Sequence, residues 1–166
     1  KKKIKIAINH PKSLSNEFIK VQELRKKYNL GKLQLLNFTA GNIGIGMVGI
    51  HIIEHFISIT KDKITCVFSN IYKNKKINPR GKNFIDYNGD IFYLNKSNQK
   101  LIISTNENSN HGPLINYFFS NGLIELNSLT GNINMQLKIK NYSKASSHVP
   151  SKYNFSKNYN INVSDV

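Results

Sequence analysis

The sequence predicts an α+β fold: an N-terminal strand and two helices, then a mostly antiparallel set of short strands, and an extended basic C-terminal tail. Three observations predict it. Apolar residues recur at helical spacing only within the first 60 positions. From residue 84 onward, short apolar runs alternate with Asn, Gly and Ser turns. Beyond residue 140 the periodicity fades into Ser, Asn, Lys and Tyr. The chain therefore divides into one α+β domain, residues 1–140, and a basic tail, residues 141–166, with no internal repeat.

The elements follow in order. Residues 3–8 alternate Lys with Ile or Ala, the period of a strand with one wet face. Pro11 ends it. Ser13 or Ser15 can cap a helix reaching about Leu30, with Glu17 in its first turn and Arg25, Lys26 and Lys27 near its end. That charge order suits the helix dipole, and Leu14, Phe18, Val21 and Leu24 share a face. Residues 32–38 read as a buried strand and residues 39–42 as a turn. Residues 45–59 are almost wholly apolar except His51, Glu54, His55 and Ser58, which lie on a single helical stripe. A strand is expected at 64–69. Residues 84–87 and 91–94 flank Asn88-Gly89, a dipeptide that favours a two-residue hairpin turn. Further strands are expected at 100–104, 123–126 and 133–139, with residues 114–120 either helix or strand.

Composition narrows the function. The 166 residues carry 24 Lys plus Arg against nine Asp plus Glu, a formal +15, and no acid lies between Glu125 and Asp165. Nearly all of the excess is Lys, with only Arg25 and Arg80 as arginines. Lys, Asn and Ile together fill 70 positions, the bias of an AT-rich gene, which by itself explains part of the charge. Hydrophobic residues make up 39%, too many for a disordered polycation. The single Cys66 excludes an intrachain disulfide framework and a Cys-based zinc finger. No run of 18 apolar residues marks a membrane span, and the N-terminus lacks the apolar core of a signal peptide. An intracellular location is expected, with the mitochondrion as the compartment an organellar gene would imply.

Two motifs and one charge pattern carry chemistry. Gly44-Ile45-Gly46-Met47-Val48-Gly49 fits the G-x-G-x-x-G of dinucleotide sites, where glycines admit pyrophosphate to a helix N-terminus. Here the preceding strand ends several residues early, and Ser69 and Asn70 stand where the ribose-binding acid belongs. The run reads instead as a Gly-rich turn before a closely packed helix. His51-Ile52-Ile53-Glu54-His55 is an H-x-x-E-H. Two His four apart on a helix can reach one zinc ion, and Glu54 can serve as general base toward a metal-bound water. The same residues also read as the solvent stripe of an amphipathic helix.

With the preceding Leu-Gln-Leu-Leu-Asn-Phe-Thr-Ala-Gly, residues 33–57 resemble the pitrilysin and insulin-degrading metallopeptidases. Gly49-Ile50-His51 is similar to the corresponding run of S-ribosylhomocysteinases. The metallopeptidase resemblance implies zinc on His51 and His55, with a glutamate on a later helix as third ligand. Glu125 is the acid at about that distance, although Leu123-Ile124-Glu125-Leu126 reads as strand.

The charge pattern is the remaining signal. Lys73, Lys75, Lys76, Arg80 and Lys82 crowd one turn. Lys138, Lys140, Lys144, Lys152 and Lys157 interleave with Tyr142, Tyr153, Phe155 and Tyr159. Lysines neutralise phosphates and aromatic rings stack on unpaired bases. The leading expectation is thus a basic, RNA-binding structural component of a ribonucleoprotein assembly, resembling organelle-encoded ribosomal proteins in composition. It implies a polyanionic partner, most simply RNA, and no cofactor. The alternatives are a zinc-dependent hydrolase built on the H-x-x-E-H helix, and a viral or structural assembly protein with a basic arm.

Overall fold

The computed structural model describes residues 15–76, 78 and 80–138, and residues 153–160 by their backbone. Two helices, α1 (Asn16–Lys27) and α2 (Ile45–Thr60), accompany β1 (Leu33–Gly41), β2 (Ile64–Lys73), β3 (Tyr87–Asn95), β4 (Lys100–Asn106), β5 (Leu114–Phe119), β6 (Gly122–Asn127), β7 (Asn132–Lys138) and β8 (Tyr153–Asn160). The strands form one sheet in the order β2-β3-β4-β1-β5-β6-β7-β8. Among the described residues only β1 and β4 pair in parallel; every other neighbour is antiparallel. The α+β expectation with a mostly antiparallel sheet therefore holds. The strand expected at 3–8, and most of the tail expected beyond 140, lie outside the described residues. Within that tail, Tyr153–Asn160 pairs along β7 as β8.

Alternation in the strands decides where the core lies. Leu36, Phe38 and Ala40 of β1, Leu101 and Ile103 of β4, Ile115, Tyr117 and Phe119 of β5, Ile124 and Leu126 of β6, and Ile133 and Met135 of β7 all turn to the helix side and are buried. The helices return Phe18, Val21 and Leu24 from α1 and Ile52 and Phe56 from α2. Each such side chain contributes roughly 1.5–3 kcal/mol when fully buried. The opposite face, with Leu35, Phe118, Leu123 and Ile102 alternating against Asn37, Asn116 and Glu125, carries no helix among the described residues.

One edge departs from this order. Every residue of β2 after Ile64 is exposed, and Val67, Phe68, Ile71 and Tyr72 leave 41–57% of their surfaces open. α2 packs over β1, β3 and β4, so β2 projects beyond its cover.

The Asn88-Gly89 hairpin does not form, because β3 runs straight through the dipeptide. Gly89 has φ 126, and a Cβ there would strike the backbone carbonyl of Asn70 on β2. The glycine serves close strand contact rather than a turn. The reversal falls instead at residues 95–99, where the Asn95 carboxamide oxygen accepts from the backbone N–H of Ser97 (3.0 Å) and Gln99 (2.9 Å). Asn98 takes the left-handed conformation (φ 57).

Candidate functional site

The Gly-rich run and the H-x-x-E-H both fall on α2, so the candidate site is built around that helix. Its N-terminus presents backbone N–H groups without intrahelical partners, an anion site by construction. The anion is already present. Asp86, buried at the entry to β3, accepts from the Gly46 N–H (2.9 Å) and from the Tyr87 N–H (2.8 Å). A Cβ on Gly44 would collide with the Asp86 carboxyl group, so the glycine makes room for this carboxylate. The run binds a side chain of its own chain, and the residues do not fit a dinucleotide pyrophosphate at this point. The sheet beside it is also not the parallel sheet that such a site crowns.

Along α2 the polar stripe splits in two. His55 is 1% exposed and lies in the core between the helices and the sheet. Its ring stacks on Phe18 at 3.7 Å between centroids and 13° between planes, and its Nε2 is 3.0 Å from the Tyr117 hydroxyl. Desolvation pushes the imidazole pKa down to about 3, so it is neutral at physiological pH. Tyr117 is fully buried, and burial and the nearby Glu17 carboxylate raise its pKa well above the ordinary phenol range. Glu17, itself buried, accepts from the Ser128 hydroxyl at 3.2 Å. His51 and Glu54 are only half-buried as residues, although the His51 Nδ1 and one Glu54 carboxylate oxygen are themselves buried.

This geometry corrects the zinc reading. His55 is directed to Tyr117, while Glu125 lies on the helix-free face of the sheet, accepting from the Asn134 side chain at 2.7 Å. Among the described residues no group of three His, Cys, Asp or Glu side chains could hold a metal ion. The stripe is not a plain solvent face either, since one of its members is a core residue.

The basic turn is partly tied down by hydrogen bonds to neighbouring segments. Lys73, Lys75, Lys76, Arg80 and Lys82 are all exposed at the end of β2 and beyond it. The Lys75 N–H donates to the buried Glu107 carboxylate (2.7 Å), and the Lys76 ammonium donates to the Asn42 side chain (2.8 Å). Lys138 is exposed at the end of β7, and Tyr153 and Lys157 lie in β8 opposite Lys138 and Met135. Lys140, Lys144 and Lys152 lie outside the described residues. Sequence reasoning missed Asp86 and the His55–Tyr117 pair, because their partners are 40 and 62 positions away.

No family model matches the chain. No curated protein matches it by sequence. Solved structures do match in fold. A putative oxidoreductase from Erwinia carotovora atroseptica superposes with a TM-score of 0.61 at 14% identity, over 90% of this chain and 51% of that one. A putative NADPH-dependent oxidoreductase from Desulfitobacterium hafniense gives 0.58 at 9% identity, over 95% and 51%. UDP-N-acetylglucosamine 3-dehydrogenase from Acidithiobacillus ferrooxidans gives 0.55 at 10% identity, over 92% and 47%. The chain thus spans about half the length of these structures. The fold is therefore shared with about half of each of these chains. That likeness overturns the ribosomal, RNA-binding expectation and the shell-protein alternative, and with them the resemblance to pitrilysin-type metallopeptidases. Charge and a five-residue motif had carried those readings, and neither specifies a fold.

Proposed function

We propose that these residues form the sheet-bearing part of a nicotinamide-nucleotide-dependent oxidoreductase, in which a separate dinucleotide-binding unit holds the cofactor. The observation that carries the reading is the likeness of nine-tenths of this chain to half of an NADPH-dependent oxidoreductase chain. The sealed α2 N-terminus and the antiparallel sheet agree with it, because neither offers the phosphate site of a parallel doubly wound sheet. A bound nicotinamide would accept or supply a hydride at carbon.

The companion task, holding or releasing the proton of the alcohol oxygen, needs a titratable group within hydrogen-bond reach. Of the three imidazoles among the described residues, His55 is sealed in the core and His111 lies in a loop bonded to the Gly112 carbonyl. His51 on α2 is half-buried, one turn from the half-buried Glu54. We assign the proton-handling role to His51, with the Glu54 carboxyl group one turn away.

The test uses the intact polypeptide that carries this chain, purified from its source and denatured with acid. About one NAD(H) or NADP(H) per chain should be released, whereas the 166-residue chain alone should show no saturable NADPH fluorescence enhancement below about 1 mM. A nucleotide-free intact protein with no NAD(P)-linked alcohol oxidation overturns the proposal. Micromolar NADPH binding by the isolated chain overturns the placement of the cofactor on a separate unit.

A further inference from the structure

A second candidate site lies at the C-terminal end of α1. Gln22, Arg25, Lys26, Asn29 and Gly31 line a recess of about 440 Å³, within the size range of small-molecule pockets. Arg25 is held there in one pose. Its Nε donates to the Gly31 carbonyl (2.9 Å), one terminal nitrogen donates to the Gln22 carboxamide oxygen (3.5 Å), and its guanidinium lies 5.6 Å from the centre of the Phe119 ring. Each of these partners is neutral. Among the described residues no Asp or Glu lines the recess, and the neighbouring Glu23 is engaged with Lys20 (3.2 Å) on the exposed side of the helix. The Gln22 side-chain nitrogen is buried without a hydrogen-bond partner among the described residues.

A half-buried guanidinium fixed by neutral groups, beside the exposed Lys26, is a desolvated positive charge with no counter-charge among the described residues. Burial lowers the Arg25 pKa, and no carboxylate among the described residues offsets it. Guanidinium groups present paired N–H donors that match carboxylate and phosphate oxygens. The helix C-terminus contributes only about half a negative charge, already met by backbone donors. The Tyr28, Asn29 and Leu30 N–H groups close onto the Leu24, Lys26 and Arg25 carbonyls. Positive charge therefore prevails in the recess.

We propose that this recess binds a small ligand through an anionic group, a phosphate or a carboxylate, with Arg25 as the orienting contact and Lys26 as the second charge. The site is independent of the oxidoreductase reading, since it involves neither α2 nor a nucleotide cofactor.

The test is calorimetric titration of the 166-residue chain with inorganic pyrophosphate, and separately with citrate, at a fixed ionic strength of about 0.15 M, where diffuse attraction to a +15 protein is screened. One of the two should bind saturably at sub-millimolar concentration, and the tighter identifies the phosphate or carboxylate source. Arg25→Lys should weaken binding at least tenfold while keeping the charge. Lys26→Glu should do the same with the melting temperature lowered by only a few degrees, the cost of an acid in the last helical turn, which keeps the test valid if Arg25→Lys impairs folding. Lys96→Ala, on the β3–β4 turn, should leave binding unchanged. Absence of saturable binding, or equal losses in Lys96→Ala and Lys26→Glu, overturns the proposal.

Discussion

Acidification should destabilise this fold through His55. The imidazole is buried between Phe18 and Tyr117, and its pKa falls from 6.5 to about 3 by desolvation. In the unfolded chain it titrates near 6.5, so between those values the unfolded state binds the extra proton. A histidine with a lowered folded pKa leaves stability intact above pH 6.5 and erodes it as pH falls towards 3. With 1.36 kcal/mol per unit, the loss at pH 5 is about 2 kcal/mol relative to pH 7.5, and about 3.4 kcal/mol at pH 4. For a domain of this size 2 kcal/mol corresponds to roughly 6 °C in melting temperature.

Other groups titrate over the same range, so the comparison is with His55→Phe/Tyr117→Phe. That variant keeps the stack on Phe18 and removes both members of the hydrogen bond, a replacement that is close to neutral in cost. Urea unfolding at pH 7.5, 6, 5 and 4 should show the wild-type stability falling more steeply than that of the variant, by about 2 kcal/mol at pH 5. Parallel curves would refute a neutral, core-buried His55.

Three further predictions follow from the same packing. Asp86→Ala removes the carboxylate that accepts from Gly46 and Tyr87; it should cost about 1–2 kcal/mol in urea unfolding, the usual loss of a helix cap, and an unchanged midpoint would contradict its role. Gly89→Ala places a methyl group against the Asn70 carbonyl at a φ of 126, so it should cost more than about 3 kcal/mol. Equal thermal stability of this variant would show that β2 and β3 do not approach as described. Val67→Lys and Phe68→Lys, on the exposed edge strand, should change stability by less than about 0.5 kcal/mol while raising solubility measured by light scattering; a cooperative loss of stability would mean that this edge is covered.

Much of the fold was written in local pattern. The stripe of Phe18, Val21 and Leu24 marked α1, the apolar run marked α2, and alternation marked β4, β6 and β7, because burial on one face imposes a period on each element. Strand order left no such mark. β1, the first described strand, sits mid-sheet between β4 and β5, a pairing made by chain segments more than 60 positions apart. Asn88-Gly89 misled for a related reason: a glycine needed for positive φ in a turn is locally indistinguishable from one needed for a neighbouring strand's close approach. His55 was recoverable in part. It continues the buried spacing of Gly49, Ile52 and Phe56, but a helix apolar almost all round does not announce which stripe faces inward.

The Gly-rich turn shows how sequence pattern and site chemistry separate. Glycines before a helix create an anion site whatever the anion, and the motif leaves the occupant unspecified. Here the occupant is Asp86, 40 positions downstream of Gly46 and seated by the strand that enters at Tyr87. A phosphate brought within about 4 Å of that carboxylate meets a repulsion on the order of 4 kcal/mol per unit charge at an effective dielectric near 20. It also finds the Gly46 donor already engaged. The same residues that suggested a nucleotide therefore disfavour one at this turn. Under the proposed function the cofactor is therefore held by residues other than this turn, and the half-buried His51 and Glu54 lie farther along the same helix.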